Sequence, residues 1–113
     1  MNFMQMQNAD GRWVSPDDLT FAAAAAGADW FSVPGMGVSM VNAKGANSWP
    51  VSTASFILMY KTPADRAASN EALKFFDWAF RNGKKMAADL DYVALPDSLT
   101  DQIRARVWNQ IQR

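Results

Sequence analysis

The side chains best suited to hold a small ligand are three hydroxyls, Ser52, Thr53 and Ser55. They follow Trp49-Pro50 and precede a run of five apolar residues, Phe56–Tyr60. A hydroxyl can donate to an anion, although on a strand beside a loop it more often bonds the neighbouring backbone. The three residues are therefore candidates for lining a binding cleft, with backbone bonding as the competing interpretation.

Catalysis and metal binding are disfavoured by residue usage. The chain has no histidine and no cysteine, which removes the commonest general base, the commonest metal ligand and every disulfide. Its one glutamate and ten aspartates show no acid/base or metal-ligand spacing. The composition predicts a protein that is not an enzyme and needs no cofactor or metal.

Net charge excludes a further class of partner. Eleven basic and eleven acidic residues cancel, so no basic stripe indicates nucleic acid. Gly35-Met36-Gly37 superficially suggests a phosphate cradle, but no strong strand leads into it and no helix cap follows it. We interpret these glycines as a turn within a long irregular connection over residues 28–48.

The element expected to position the hydroxyls is a central strand at 54–60. Its second half is continuously apolar, which is typical of a strand buried on both faces. A second strand is predicted at 2–8, where Met4 and Met6 alternate with glutamines, and Asp10-Gly11 then turns the chain towards Trp13-Val14.

Helices are predicted at 16–26, 63–82 and 97–111, with a short one near 84–90. Ser15-Pro16 and Thr62-Pro63 supply a hydroxyl and a proline at the first two helix starts. The apolar stripes of the helices predict a core with the central strand. The residues expected to be buried are Phe56, Leu58, Phe76, Phe80, Ile103 and Val107.

The length of the chain and its first residues leave two interpretations open. With 113 residues, half of them hydrophobic, the chain has the size of one small domain. Residues 1–4 lack a charged region followed by an apolar one, so we expect no signal peptide in this chain. It would be cytosolic, or a piece of a longer protein.

Several blocks, in order and at compatible spacing, resemble the C-terminal third of the periplasmic phosphate-binding proteins of the phosphate-specific ABC importer. The blocks are Ala9–Gly11, Val14–Pro16, Gly27–Trp30, Asn42–Gly45, Trp49–Thr53, Phe56–Leu58, Leu73–Ala79 and Asp91–Asp97. Only residues about 31–41 suggest no firm correspondence.

The resemblance implies an α/β fold, namely the C-terminal part of a type II periplasmic binding protein, whose two lobes would both be incomplete here. Residues 1–49 would end the second lobe, 50–53 would be a hinge crossing, and 54–113 would complete the first lobe. A proline suits such a crossing because it fixes φ.

The resemblance also implies the ligand and the partners. The ligand would be inorganic phosphate and the partners the membrane subunits of the ABC importer, in the periplasm. The family's Ser-Gly-Thr phosphate loop is absent from this sequence, so no ligand residue is carried over. Incomplete lobes would contact the rest of the parent chain or self-associate. The alternatives are an autonomous protein-interaction domain and a fragment that binds no ligand.

Overall fold

The computed structural model describes residues 2–113. They form two compact units, Met1–Ser55 and Phe56–Arg113. The first contains a two-stranded sheet and one helix, and the second is built from helices. Helices combined with a small sheet are compatible with the predicted α/β class.

The first unit opens with a β-hairpin. Strand β1 (Met6–Gln7) pairs antiparallel with β2 (Trp13–Val14), and Gly11 occupies the turn at φ 75°. The predicted turn at Asp10-Gly11 and the return strand are thus confirmed. The predicted strand at 2–8 is reduced to two residues, because β2 offers a hydrogen-bonded partner only to Met6 and Gln7.

Helix α1 spans Asp18–Gly27 and begins two residues later than predicted. Asp17, rather than Ser15, is the N-cap: its carboxylate accepts from Thr20 N at 2.9 Å, and Thr20 Oγ1 accepts from Asp17 N at 3.1 Å. This reciprocal pair satisfies two backbone donors, which explains why the helix starts there.

The end of α1 is pressed against the connection that follows. A Cβ built on Gly27 would lie 2.2 Å from Lys44 O, so only glycine fits at this position. Residues 28–48 form the predicted irregular connection, with a single 3₁₀ turn at Pro34–Met36. Its buried side chains, Trp30, Met40 and Ala43, pack with Ala24 and Ala25 of α1 in the unit's apolar core, together with Val14 and Trp49.

Asn8 makes five hydrogen bonds, three of which tie the hairpin to this connection. Its Nδ2 is within 2.9 to 3.3 Å of the carbonyl oxygens of Gly45, Ala46 and Ser48. Its Oδ1 accepts from Asp10 N and Arg12 N. Asn8 is buried, and its bond to Ser48 O is buried as well, so removing the amide would leave that carbonyl without its donor in a dry site.

The second unit contains α2 (Arg66–Asn82), α3 (Lys84–Asp89) and α4 (Asp97–Gln102). Helix α2 begins after Asp65, whose carboxylate accepts from Ala68 N at 2.9 Å. It therefore starts three residues after the predicted position at 63 and ends as predicted.

The last predicted helix changes its winding. After α4 the chain forms a π-helical turn at Ile103–Val107 and a 3₁₀ turn at Trp108–Gln110. The predicted stripe repeats every four residues, which drifts around a helix of 3.6 residues per turn. A wider π turn reduces that drift. Leu99 and Ile111, at the two ends of the stripe, are buried.

None of the six side chains predicted to be buried in the second unit is fully buried. Leu73, Leu99 and Ile111 are buried, but Phe76, Phe80, Ile103 and Val107 are only half-buried. Phe56 is 49% exposed and Leu58 91% exposed. Within residues 2–113 the helices cover these side chains on one side at most.

The predicted central strand at 54–60 does not form among the described residues. The amides of residues 57–60 have no backbone partner in residues 2–113. A strand exists only where a neighbour completes its hydrogen bonds. The apolar residues are typical of a strand in a sheet interior, but the described chain supplies no adjacent strand with which it could pair.

Two leucines of the second unit give a matched test of this core. We expect Leu73→Ala to lower the free energy of unfolding by about 2 to 4 kcal/mol, because Leu73 is 5% exposed. Leu58→Ala should change it by less than about 0.5 kcal/mol. Urea denaturation followed by circular dichroism measures both, and equal effects would contradict the described core.

Asn8 gives the corresponding test in the first unit. Asn8→Ala should lower the free energy of unfolding by about 1 to 3 kcal/mol, since one buried carbonyl loses its donor and four part-buried hydrogen bonds are removed. Asn109→Ala is the control, because Asn109 is exposed and donates only to Ala105 O. A cost at Asn8 no larger than at Asn109 would show that the five bonds stabilise little.

Candidate functional site

The three candidate hydroxyls have different surroundings. Ser52 is buried, and its Oγ donates to Trp49 O at 3.2 Å. Thr53 and Ser55 are exposed. Ser52 therefore has the backbone bonding that competes with ligand binding, whereas the hydroxyls of Thr53 and Ser55 remain accessible to solvent.

The chain just before these hydroxyls is held firmly. Trp49 N donates to Thr20 O at 3.0 Å, and Pro50 O accepts from Asn42 N at 2.8 Å. The Trp49 ring packs edge-on against Phe21, with ring centroids 6.1 Å apart. Trp49, Pro50 and Ser52 are thus integrated into the first unit.

The amino ends of the two longest helices are already occupied by carboxylates. A free helix N-terminus can hold a phosphate through its amides and dipole. In α1 the carboxylate of Asp17 accepts from Thr20 N, and Asp18 adds a negative charge in the first turn. In α2 the carboxylate of Asp65 accepts from Ala68 N. A phosphate at either end would meet a like charge.

Five basic side chains of the second unit are also matched by carboxylates. Lys74 contacts Glu71, Lys84 contacts Asp97, Lys85 contacts Asp89, and Arg81 and Arg104 both contact Asp77. Their charges are largely offset by these neighbours. An anion near any of the five would meet a carboxylate that already pairs with the basic group.

Asp77 and Arg104 form the least exposed of these pairs. Arg104 Nε lies 2.7 Å from Asp77 Oδ1, and its Nη1 lies 2.8 Å from Asp101 Oδ1. The guanidinium sits 5.8 Å from the centre of the Phe80 ring, which itself stacks on Trp108. The cluster joins α2 to the C-terminal helical segment.

The hydrogen bond from Arg104 lowers the pKa of the Asp77 carboxyl below its ordinary value. Partial desolvation opposes this change, and the hydrogen bond and charge of Arg81 add to it. The same bond raises the pKa of Arg104. These shifts describe an ion pair that joins two helical segments.

A cavity of about 240 Å³ lies beside α3 in the second unit. It is lined by Ala79, Phe80, Gly83, Lys84, Ala87, Ala94, Leu95 and Thr100. The wall is almost entirely apolar, and the Lys84 ammonium is bonded to Asp97. An oxyanion needs several donors to replace its water, so the cavity suits apolar groups instead.

Residues 2–113 offer neither a metal-binding cluster nor a membrane-spanning helix. The described acidic side chains contain no group of three that could hold a metal ion. No helix in this range is both long and apolar enough to cross a membrane.

Comparison with curated proteins shows three strong similarities. The chain is 44% identical over 105 residues to phosphate-binding protein PstS of Xylella fastidiosa, covering 93% of this chain and 29% of that protein. It is 46% identical over 107 residues to PstS of Pasteurella multocida, covering 95% and 31%. It is 39% identical over 111 residues to PstS of Haemophilus influenzae, covering 98% and 33%. This chain is related to the phosphate-binding proteins.

The resemblance inferred from short blocks is confirmed by these alignments. The chain spans about a third of the length of the phosphate-binding proteins that it matches. No family model matches it.

The sequence patterns missed two side chains, one in each unit, that join segments far apart in the chain. Asn8 and Arg104 each make bonds across many residues of sequence, and neither belongs to a local motif. Asp17 and Asp65 could have been found, because aspartate directly before a helical pattern is a common N-cap.

The Asp77–Arg104 pair predicts a pH dependence with a definite sign. The pKa of Asp77 is lower in the folded chain than in the unfolded chain, so its stabilisation is complete above about pH 4 and lost as the pH falls further. Urea denaturation at several pH values should show wild type losing more stability on acidification than Asp77→Asn.

Arg104→Met provides the control for this measurement. In the Arg104→Met variant the main cause of the lowered Asp77 pKa is gone. Asp77→Asn should therefore change the pH dependence of the free energy of unfolding much less in that variant than in wild type. An identical effect of Asp77→Asn with and without Arg104 would contradict the assignment.

Proposed function

We propose that this chain is the C-terminal part of a periplasmic protein that binds inorganic phosphate and delivers it to the membrane subunits of an ABC importer. The observation that carries the proposal is identity of 39–46% to phosphate-binding proteins over 93–98% of the chain. The phosphate-binding activity belongs to the whole protein in this proposal.

The electrostatics of the described residues support a division of labour. Asp17 and Asp65 occupy the amino ends of the two longest helices, and five basic side chains bond to carboxylates. The principal phosphate ligands would therefore come from the rest of the parent protein. This chain would complete the framework of both lobes and contribute, at most, the exposed hydroxyls of Thr53 and Ser55.

The proposed hinge between the two lobes is compatible with this function, but we place its pivot at the end of residues 50–53 and just beyond. The family resemblance implies a hinge at 50–53 between a second lobe ending at 49 and a first lobe resuming at 54. Pro50 and Ser52 are buried and hydrogen-bonded within the first unit. The pivot would therefore use Thr53–Ser55, where the side chains are less constrained.

An autonomous interaction domain is the second candidate, favoured by exposed aromatic side chains in the second unit. Phe75 and Trp78 stack with ring centroids 6.3 Å apart, and both remain about half exposed. Such a domain would bind another protein through this surface and would need no phosphate.

Phosphate binding by the chain alone and by the complete parent protein separates the two candidates. We expect the 113-residue chain to bind phosphate more weakly than about 1 mM, and the parent at least about 1000-fold more tightly. Isothermal titration calorimetry in phosphate-free buffer measures both. Submicromolar binding by the chain alone would overturn the division of labour, and a parent without phosphate binding would overturn the function.

A further inference from the structure

The only asparagine–glycine pair of the sequence, Asn82-Gly83, lies where two helices meet. Helix α2 ends at Asn82, and α3 begins at Lys84. An asparagine that precedes glycine is especially prone to spontaneous deamidation, because glycine has no Cβ to shield its backbone nitrogen. Asn82 is exposed, so water reaches its side-chain amide. The junction between α2 and α3 therefore carries a reactive pair at the protein surface.

The fold favours both members of this pair at their positions. A Cβ built on Gly83 would lie 2.6 Å from Ala79 O, closer than a side chain tolerates unless the backbone shifts. Asn82 Nδ2 donates to Trp78 O at 3.0 Å, which adds a hydrogen bond to the last turn of α2. Replacing either residue would therefore disturb the end of the helix.

The same geometry keeps the reactive atoms apart while the junction is closed. Gly83 N donates to Ala79 O at 2.8 Å, and it must leave this bond before it can lose its proton and attack. Asn82 is helical, whereas the ring formed during deamidation requires a ψ far from the helical value of about −42°. Both constraints are released when the end of the helix opens, and helix ends open more readily than a core.

We propose that Asn82 is a deamidation site of the folded chain, gated by local opening of the α2–α3 junction. Gly83 N gives its proton to water and attacks Asn82 Cγ, while Nδ2 takes up a proton and leaves as ammonia, so that a succinimide ring forms. Water then opens the ring at one of its two carbonyl carbons. One route gives aspartate, and the other gives isoaspartate, in which the main chain runs through Cβ and Cγ. No electrons are gained or lost, and the inference does not depend on phosphate binding.

Either product weakens the junction. A carboxylate cannot donate to Trp78 O, and its negative charge lies at the end of α2, where the helix dipole is also negative. Isoaspartate, in addition, lengthens the main chain and shifts Gly83 relative to Ala79 O. Gly83 O accepts from Ala87 N, so the change extends into α3. We expect the modified protein to have a Tm about 2 to 5 °C lower than the fresh protein.

Ageing of the 113-residue chain in mildly alkaline buffer tests the site. Folded samples and samples unfolded in guanidinium chloride are digested with pepsin in acid, where deamidation is slow. Mass spectrometry detects the replacement of ammonia by water, and electron-transfer fragmentation distinguishes isoaspartate from aspartate. We expect Asn82 to react before every other asparagine, and at least about 10-fold more slowly in the folded chain than in the unfolded chain.

Asn82→Gln is the matched control for the chemistry. Glutamine keeps a side-chain amide but would have to form a larger and less favoured ring with Gly83 N. The peptide that covers position 82 should therefore stay unmodified over the same interval, in the folded and in the unfolded variant. Equal deamidation of this variant and wild type would overturn the proposed attack by Gly83 N.

Hydrogen exchange of the Gly83 amide, measured by NMR, tests the gate. Folding should slow deamidation by at least the protection factor of this amide, because the bond to Ala79 O must open in both processes. A smaller slowing would overturn the gate, as would equal rates in the folded and unfolded chain. The site itself is overturned if another asparagine of the folded chain reacts first, or if the folded chain stays unmodified. An unchanged Tm after modification overturns the predicted weakening of the junction.

Discussion

The first unit depends on one buried amide. The Asn8 side chain bonds both to the hairpin turn, through Asp10 N and Arg12 N, and to the carbonyl oxygens of residues 45, 46 and 48. A buried backbone carbonyl such as that of Ser48 must find a donor. The Asn8 amide supplies one and also holds the chain that leads to Trp49 and Pro50.

The second unit is stabilised differently. Its buried apolar side chains are few, and Arg104 joins α2 to the C-terminal segment by contacting Asp77, Asp101 and the Phe80 ring. An ion pair of this kind adds orientation more than stability, because both partners retain some contact with water. The unit therefore has a defined helix arrangement and much uncovered apolar surface.

Local patterns predicted what local interactions decide. The hairpin turn and the irregular connection follow from the residues that occupy them. The same holds for the C-terminal end of α2 at Asn82, which is followed by Gly83. The helix starts shifted by two or three residues because Asp17 and Asp65 are better caps than the hydroxyls before them. The absence of the predicted strand at 54–60 could not be read from those residues, since a strand requires a hydrogen-bonded neighbour. Among the candidate hydroxyls, Ser52 differs from the other two by its bond to Trp49 O, and no sequence pattern predicts this bond.

The π turn at Ile103–Val107 accommodates one more residue than an α-helical turn of the same height. Removing one residue there would let the helix wind normally, and everything after it would rotate by about 100°. Ile111 would then leave the core, and Gln112 would no longer reach Lys61. The length of this turn thus sets the angular position of the last residues, so that insertions or deletions of a single residue are resisted here more than in the loops.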